Sequence, residues 1–152
     1  MALNDIDIDF MEGIACAALA AKMHAECFSP AWDEASCASA MTIPGTVFQL
    51  MSLGDEPVAF ALYRCLSGEA ELLSLGVLPE YQHRGYAGIL LDHGIERLVA
   101  SAVHLLFLDV GVENLWAQQL YRSRGFIEIG RRKDYYTHGA GLEDAITMKR
   151  VL

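Results

Sequence analysis

The chain has 152 residues, a length that predicts one compact domain spanning residues 1–152 with a core of its own. It is 53% hydrophobic and 20% charged, which is not the composition of a disordered protein. Its formal net charge of −9 argues against a protein that binds nucleic acid through bulk positive charge. The whole excess lies in the first half: residues 1–76 hold 11 acidic and 2 basic residues, and residues 77–152 hold nine of each.

The four cysteines show neither the pattern of a metal site nor that of a disulfide framework. Cys16, Cys27, Cys37 and Cys65 form no C-x-x-C pair and have no histidines at ligand spacing beside them, so we interpret them as reduced, mostly buried thiols. The amino terminus is acidic where a signal peptide is basic, and the apolar run that follows ends at Lys22, too short to span a bilayer. These features predict a cytoplasmic, soluble protein without a metal and without membrane or nucleic-acid contacts.

Two short helices are predicted near the start of the chain. Residues 12–26 are rich in alanine, which loses no side-chain entropy in a helix. Pro30 ends this segment and presets the φ of a second helix, whose first turn suits the acidic residues Asp33 and Glu34. This helix runs to about Ala40 and is stopped by residues 43–45, which include Pro44. We therefore expect both helices to precede the first strand.

A three-stranded meander follows these helices. Residues 46–52, 58–65 and 71–77 are rich in β-branched and aromatic side chains and are separated by turn sequences. From Ala87 to about Ala102 the apolar residues recur with the 3.6-residue period of a helix, which is the clearest helix in the sequence.

The last part of the chain completes a mixed sheet. Residues 104–110 form an apolar run of strand length, and Asn114 suits the N-cap of a helix that runs to Arg124. Gly125 suits the left-handed residue after that helix. Residues 126–131 and 145–151 are the last predicted strands, joined by a polar loop rich in tyrosine and glycine. The order predicts an α/β (α+β) fold, a mixed sheet with helices on its faces.

The stretch from Leu75 to Gly88 is the most informative about function, because a strand and a turn lead directly into the clearest helix. The amides of a first helical turn have no partners in the helix and lie at its positive end, so they can bind a pyrophosphate. Gly85 and Gly88 would let phosphates approach the backbone, and Arg84 adds positive charge. An ordinary strand-to-helix turn would also explain these glycines, so both interpretations stay open.

The common phosphate-binding, serine-hydrolase and zinc-protease motifs are not present in the sequence. It has no G-x-x-x-x-G-K-[ST] and no G-x-G-x-x-G with an acidic residue about 20 positions later. The segment 72–76 has only the second half of a nucleophile elbow, and the five histidines show no H-E-x-x-H spacing. A serine hydrolase is therefore not supported.

Two motifs of the chain resemble the signature of the GCN5-related N-acetyltransferases (GNAT family). They follow the strand 71–77 and open the last helix, and they read Gln82-x-x-Gly85-x-Ala87 and Asn114-x-x-Ala117-x-x-Leu120-Tyr121-x-x-x-Gly125-Phe126. The tail segments 131–136 and 143–148 and the opening 27–32 are similar to the ribosomal-protein alanine N-acetyltransferase branch of this family. The resemblance runs from about residue 22 to the end of the chain.

This resemblance implies that acetyl-CoA lies in a V-shaped split between two parallel strands, here 71–77 and 104–110. Backbone groups of Leu75, Gly76 and Val77 would pair with its pantetheine arm. Asn114 would be a further cofactor contact, although a plain N-cap is an equally good explanation. The turn that would hold the pyrophosphate consists of His83, Arg84, Gly85, Tyr86, Ala87 and Gly88.

The resemblance also implies two catalytic residues. Tyr121 matches the general acid that protonates the departing sulfur, whereas without the family match it would be interpreted as a core tyrosine. Asp109 matches a glutamate that acts as the base, and an ordinary strand-end acid is the alternative, with Glu113 and Glu128 as substitutes for the base. Gly111 stands where the branch often has arginine, which leaves the peptide specificity open.

We therefore expect an enzyme that acetylates the N-terminal α-amino group of a protein, with a basic ribosomal protein as the typical acceptor in the branch. The alternatives are an acetyltransferase for a small amine or a lysine, and a non-catalytic acyl-CoA-binding module. A monomer or weak dimer is expected. The acidic first half could steer a cationic acceptor or could serve solubility alone.

Overall fold

The structure is a computed structural model that describes residues 5–138 and 141–152. Its core is one sheet of seven strands that carries four α-helices. The strands are β1 Ile6–Met11, β2 Thr46–Leu53, β3 Glu56–Leu66, β4 Glu69–Val77, β5 Leu105–Gly111, β6 Ile127–His138 and β7 Gly141–Val151. The helices are α1 Ala17–Cys27, α2 Glu34–Met41, α3 Tyr86–Ala100 and α4 Leu115–Ser123. No helix in the described ranges is both long and apolar enough to cross a bilayer.

The sheet is mixed, and its one parallel pair of strands lies at its centre. The strand order is β1-β2-β3-β4-β5-β7-β6, and among the described residues only β4 and β5 run parallel. Their pairing runs from Glu69 opposite Leu105 to Leu72 opposite Leu108, and it stops there although both strands continue. The two strands therefore diverge toward their carboxyl ends, which confirms the V-shaped split expected from the resemblance.

Helices cover both faces of the sheet, as the alternation of side chains along β3 shows. Ala59, Ala61 and Tyr63 belong to the core that α3 and α4 cover, whereas Phe60 and Leu62 belong to the core under α1 and α2. Successive residues of a strand point to opposite faces, so one apolar strand serves both cores. This arrangement confirms the predicted α/β architecture.

The prediction that two helices precede the first strand is wrong, because β1 lies before them. Its residues alternate between partly buried Ile6 and Ile8 and exposed Asp7 and Asp9, and it pairs antiparallel with β2 at the edge of the sheet. The period-2 pattern is that of a half-buried strand, and its acidic half faces solvent.

The predicted polar loop between the last two strands is also wrong in its extent. Strand β6 continues through Tyr135 and Tyr136 to residue 138, and β7 begins at residue 141. The long hairpin is irregular, with register shifts between Glu128 and Gly130 and between Arg132 and Tyr136. Because tyrosine favours strands, the residues predicted to form a loop extend the pairing toward the split.

Candidate active site

The carboxyl end of β4 offers an unpaired strand edge to the split. Leu75, Gly76 and Val77 are opposite residues 61, 60 and 59 of β3 on one side. On their other side the pairing with β5 has already ended at Leu72. An extended molecule with amide groups can add to such an edge as a further strand would.

The α1 side of this edge is closely packed at Gly76. A Cβ on Gly76 would lie 2.8 Å from the Phe60 ring and 3.0 Å from Cys27 Sγ. These distances are shorter than ordinary van der Waals contacts, so the packing favours glycine here. A glycine at this position therefore allows Cys27 at the end of α1 to pack closely against the edge of β4.

The turn before α3 has the geometry of an anion site. Gln82 donates from Nε2 to the carbonyl oxygen of Val77 at 3.1 Å, which fixes the start of the turn to β4. His83 and Gly85 have φ values of 63° and 82°, and such left-handed residues direct successive backbone N–H groups into a concave nest. Gly85 is the N-cap of α3 and provides no capping side chain, so the first-turn amides stay available. Exposed Arg84 lies over the Tyr81 ring, 5.6 Å from its centroid.

This turn therefore contains all six residues of the predicted pyrophosphate site, and the split contains the three predicted pantetheine contacts. The tenth predicted contact, Asn114, has a structural role: its Oδ1 accepts the Ala117 amide at 3.2 Å and caps α4. Gln118 anchors the same helix to the end of β5, donating to the carbonyl oxygens of Gly111 and Val112 at 3.0 and 2.9 Å. These bonds fix α4 against the split.

The turn that follows α4 fixes the position of Tyr121 near the end of this helix. Gly125 has φ of 84°, and the Phe126 amide donates back to the carbonyl oxygen of Tyr121 at 3.1 Å. The two rings pack edge to face, 5.7 Å apart. Burial raises the pKa of Tyr121 to about 12, so its phenol is protonated at neutral pH. Among the described residues its hydroxyl makes no hydrogen bond.

Asp109 lies at the point where the split begins, one residue beyond the last residue of β5 that pairs with β4. Its side chain is only 8% exposed. Its Oδ1 accepts the Thr147 hydroxyl at 2.5 Å and lies 3.4 Å from Arg132 Nε. If this carboxylate takes up a proton, it can still accept a hydrogen bond.

A cavity of about 330 Å³ opens beside Asp109. Its lining is strongly charged, with Arg64, Glu69, Glu71 and Arg132 around Phe107. Glu71 lies opposite Phe107 in the parallel pairing, so the cavity adjoins the closed end of the split.

Tyr136, which the sequence predicts to lie in a loop, belongs to β6 and borders the candidate site. Its hydroxyl donates to the backbone oxygen of Asp109 at 3.1 Å. Burial and then the charge of Asp109 raise the pKa of Tyr136, with smaller effects from Tyr121 and Glu143 among others, so its hydroxyl lies within electrostatic reach of both predicted catalytic groups. The tyrosine pair in the tail motif was the available signal for this residue.

The two substitutes for the base have other surroundings. Glu128 is paired with Arg131 at 2.9 Å and with Arg122 at 3.6 Å, whereas exposed Glu113 donates its amide to Glu143 at 2.8 Å. Glu143 also occupies the space over Gly111, where a Cβ would overlap its carboxylate. An acidic side chain therefore lies where the branch often has an arginine.

Comparison with known proteins agrees with this geometry. Residues 14–126 match the family model described as the acetyltransferase (GNAT) family. The ribosomal protein bS18-alanine N-acetyltransferase of Escherichia coli K12 is 38% identical over 117 residues, which are 77% of this chain and 78% of that protein. Its counterpart in Salmonella typhimurium is 39% identical over 98 residues, which are 64% of this chain and 66% of that protein.

Solved structures show the same relationship. The crystal structure of the ribosomal-protein-S18-alanine N-acetyltransferase from Escherichia coli superimposes with a TM-score of 0.88 at 30% identity, covering 95% of this chain and 92% of that one. A GNAT family acetyltransferase from Elizabethkingia anophelis with acetyl-CoA bound has a TM-score of 0.81 over 98% of this chain and 99% of that one. At 16% identity this second structure shows only the shared fold. With a family match over most of its length and relatives of this similarity, the chain belongs to the acetyltransferase (GNAT) family.

Proposed function

We propose that the chain transfers the acetyl group of acetyl-CoA to the N-terminal α-amino group of a protein, with a ribosomal protein as its acceptor. The observation that carries this proposal is the split itself, which has an open strand edge on β4 and Asp109 at the start of its β5 side. The named activity of the Escherichia coli relative, at 38% identity, supports the acceptor class. A cytoplasmic location follows from such an acceptor.

Acetyl-CoA would lie along this split. The backbone of Leu75, Gly76 and Val77 would pair with the pantetheine arm, and the turn from His83 to Gly88 would hold the pyrophosphate. The left-handed residues of this turn and the uncapped start of α3 support that placement. Asn114 acts first as the N-cap of α4, and any contact with the cofactor would be secondary.

The chemistry would need little beyond orientation and two proton transfers. The neutral amine attacks the thioester carbonyl, the carbon–sulfur bond breaks, and an amide and a thiolate form. Asp109 would accept the proton that the amine loses, and Tyr121 would give its proton to the sulfur. The raised pKa of Tyr121 supports its role as the acid, because the phenol arrives at the reaction protonated.

The cavity beside Asp109 would hold the first residues of the acceptor. Its charged lining suits a peptide with polar groups better than an apolar amine. Tyr136 borders the same region through its bond to the backbone of Asp109.

The acceptor class is tested by thiol release from acetyl-CoA with a matched panel of acceptors. A lysine-free peptide with a free N-terminal alanine is expected to react, and the same peptide with a blocked terminus is not. Reaction of a blocked peptide that contains lysine, or of a polyamine, would support the alternative acetyltransferases. Cofactor binding without release for any acceptor would support a binding module.

The role of Tyr121 is tested by Tyr121→Phe, which removes only the hydroxyl. We expect kcat to fall by about 100-fold, with the affinity for acetyl-CoA unchanged. Tyr63→Phe is the matched control, because Tyr63 is another buried tyrosine in the same core, and it should keep full activity. Equal rates for the two variants would remove the acid role from Tyr121.

The base is tested by the pH profile of kcat/KM in Asp109→Asn and Glu128→Gln. We expect the acidic limb of the profile to disappear in Asp109→Asn and to remain in Glu128→Gln, whose native carboxylate pairs with two arginines. If the limb survives in Asp109→Asn, another group is the base.

A further inference from the structure

Arg124, the last residue before the glycine that ends α4, lies directly on the first turn of α3. A Cβ added to Gly88 would overlap Nη2 of Arg124, with Cζ at 3.0 Å and Nη1 at 3.4 Å. The guanidinium thus occupies the place that a side chain at Gly88 would take. Gly88 is the third residue of α3, in the first turn of a helix whose N-cap, Gly85, provides no capping side chain.

The guanidinium is held in this place without using all of its donors. Nε lies 3.3 Å and Nη2 3.5 Å from the Asp92 carboxylate one turn along α3, and Nη1 donates to Ser123 Oγ at 3.0 Å. Among the described residues, these contacts use three of the five N–H groups of the arginine and leave two without a partner. The side chain is 31% exposed and its pairing with Asp92 is long, so it remains accessible to an anion.

We propose that Arg124 binds a phosphate group of CoA beside the amides of the α3 turn. A planar guanidinium with two free donors suits a phosphate oxygen pair, and the free amides and helix dipole next to it already favour negative charge. Arg124 falls on an unspecified position of the motif from Asn114 to Phe126, so the family signature does not assign it. The inference rests on the proposed placement of the pyrophosphate at this turn.

A purely structural role for Arg124, joining α3 to α4 through Asp92, makes a different prediction. In that case its replacement would lower the stability of the protein and would affect the binding of every ligand of the split alike. A phosphate contact would affect only ligands that carry phosphate. Arg122 provides a matched control, since it is a surface arginine of the same helix whose guanidinium pairs with Glu128.

The test is calorimetric titration of Arg124→Gln and Arg122→Gln with CoA, 3′-dephospho-CoA and pantetheine, without any acceptor. We expect Arg124→Gln to weaken CoA binding by about tenfold and pantetheine binding not at all, and Arg122→Gln to change neither. If 3′-dephospho-CoA loses affinity in Arg124→Gln as CoA does, the contact is to the pyrophosphate; if it does not, the contact is to the 3′-phosphate. Unchanged CoA affinity, or an equal loss for pantetheine, would overturn the inference.

The same titration separates this inference from the proposed function. If the unaltered protein binds CoA no better than pantetheine, the phosphate turn itself is wrongly placed. If it prefers CoA and Arg124→Gln keeps that preference, only the role of Arg124 fails. If Arg124→Gln folds poorly, Arg124→Lys is the second variant, because it keeps the positive charge. Its preference for CoA over pantetheine is expected to be weaker than that of the unaltered protein and stronger than that of Arg124→Gln.

Discussion

The packing of α3 on the sheet leads to a prediction about Gly94, a buried glycine in the middle of this helix. Replacing a glycine by alanine in a helix interior normally stabilises a protein by about 1 kcal/mol. Here a Cβ would overlap the hydroxyl of Tyr63 and would lie 2.8 Å from Tyr63 Cζ and 3.0 Å from Gln49 Oε1. Tyr63 is 1% exposed and cannot swing aside.

We therefore expect Gly94→Ala to destabilise the protein. Overpacking of a rigid core costs about 1 to 3 kcal/mol, and an overlap with an immobile ring belongs at the upper end of that range. After subtraction of the helix gain, the free energy of unfolding should fall by about 2 kcal/mol. For a chain of this length the Tm should fall by about 4 to 8 °C.

Urea denaturation followed by circular dichroism measures this change. Gly88→Ala on the same helix is the control, because its nearest neighbour is the flexible end of Arg124, and it should cost nothing comparable. Tyr63→Phe removes a hydroxyl that has no hydrogen-bond partner among the described residues, so it should be nearly neutral and should rescue part of the loss in Gly94→Ala. A Gly94→Ala protein as stable as Gly88→Ala would refute the reasoning.

Three further predictions concern stability and its pH dependence. Asn114→Ala should cost about 1 kcal/mol in urea denaturation, because α4 loses its N-cap acceptor, and Asn114→Gly should cost less. His24 accepts a hydrogen bond from the Trp32 amide at 3.0 Å, and burial lowers the pKa of His24 below its ordinary value of 6.5. As the pH drops below 6.5 the unfolded state therefore binds a proton before the folded state does, and the free energy of unfolding should fall. This pH dependence should vanish in His24→Phe. Gly45→Ala should cost at least about 3 kcal/mol, because φ is 86° and the Cβ would overlap the backbone oxygen of Cys65.

The elements that could be predicted from the sequence are those with local signals. Helix α4 was bounded by Asn114 and Gly125, and both residues do cap it, one through its side chain and the other through its left-handed backbone. Strand β1 and the far part of β6 have no such local signals at their ends. They exist because they pair with other strands, β1 with residues more than 35 positions away, and a short run of alternating residues does not reveal its partner.

The same distinction holds for the site. The motifs marked the turn at Gly85 and the position of Tyr121, since these depend on local geometry and on a family signature. They could not show that Tyr136 reaches Asp109, 27 residues away, or that Arg124 lies on Gly88. Those contacts arise from the packing of α4 and the last hairpin around the split, which no single segment encodes.

The structure also changes the meaning of the acidic first half. Asp7 and Asp9 lie exposed on β1, which is three strands away from β4 in the sheet. At about 4.8 Å per strand this is about 14 Å, more than the screening length of about 8 Å at physiological ionic strength. Charges at that distance attract a bound acceptor only weakly. Glu69 and Glu71 belong to the same acidic half and line the cavity beside Asp109, so any attraction of a cationic terminus at the split depends on these two carboxylates far more than on the net charge of −9.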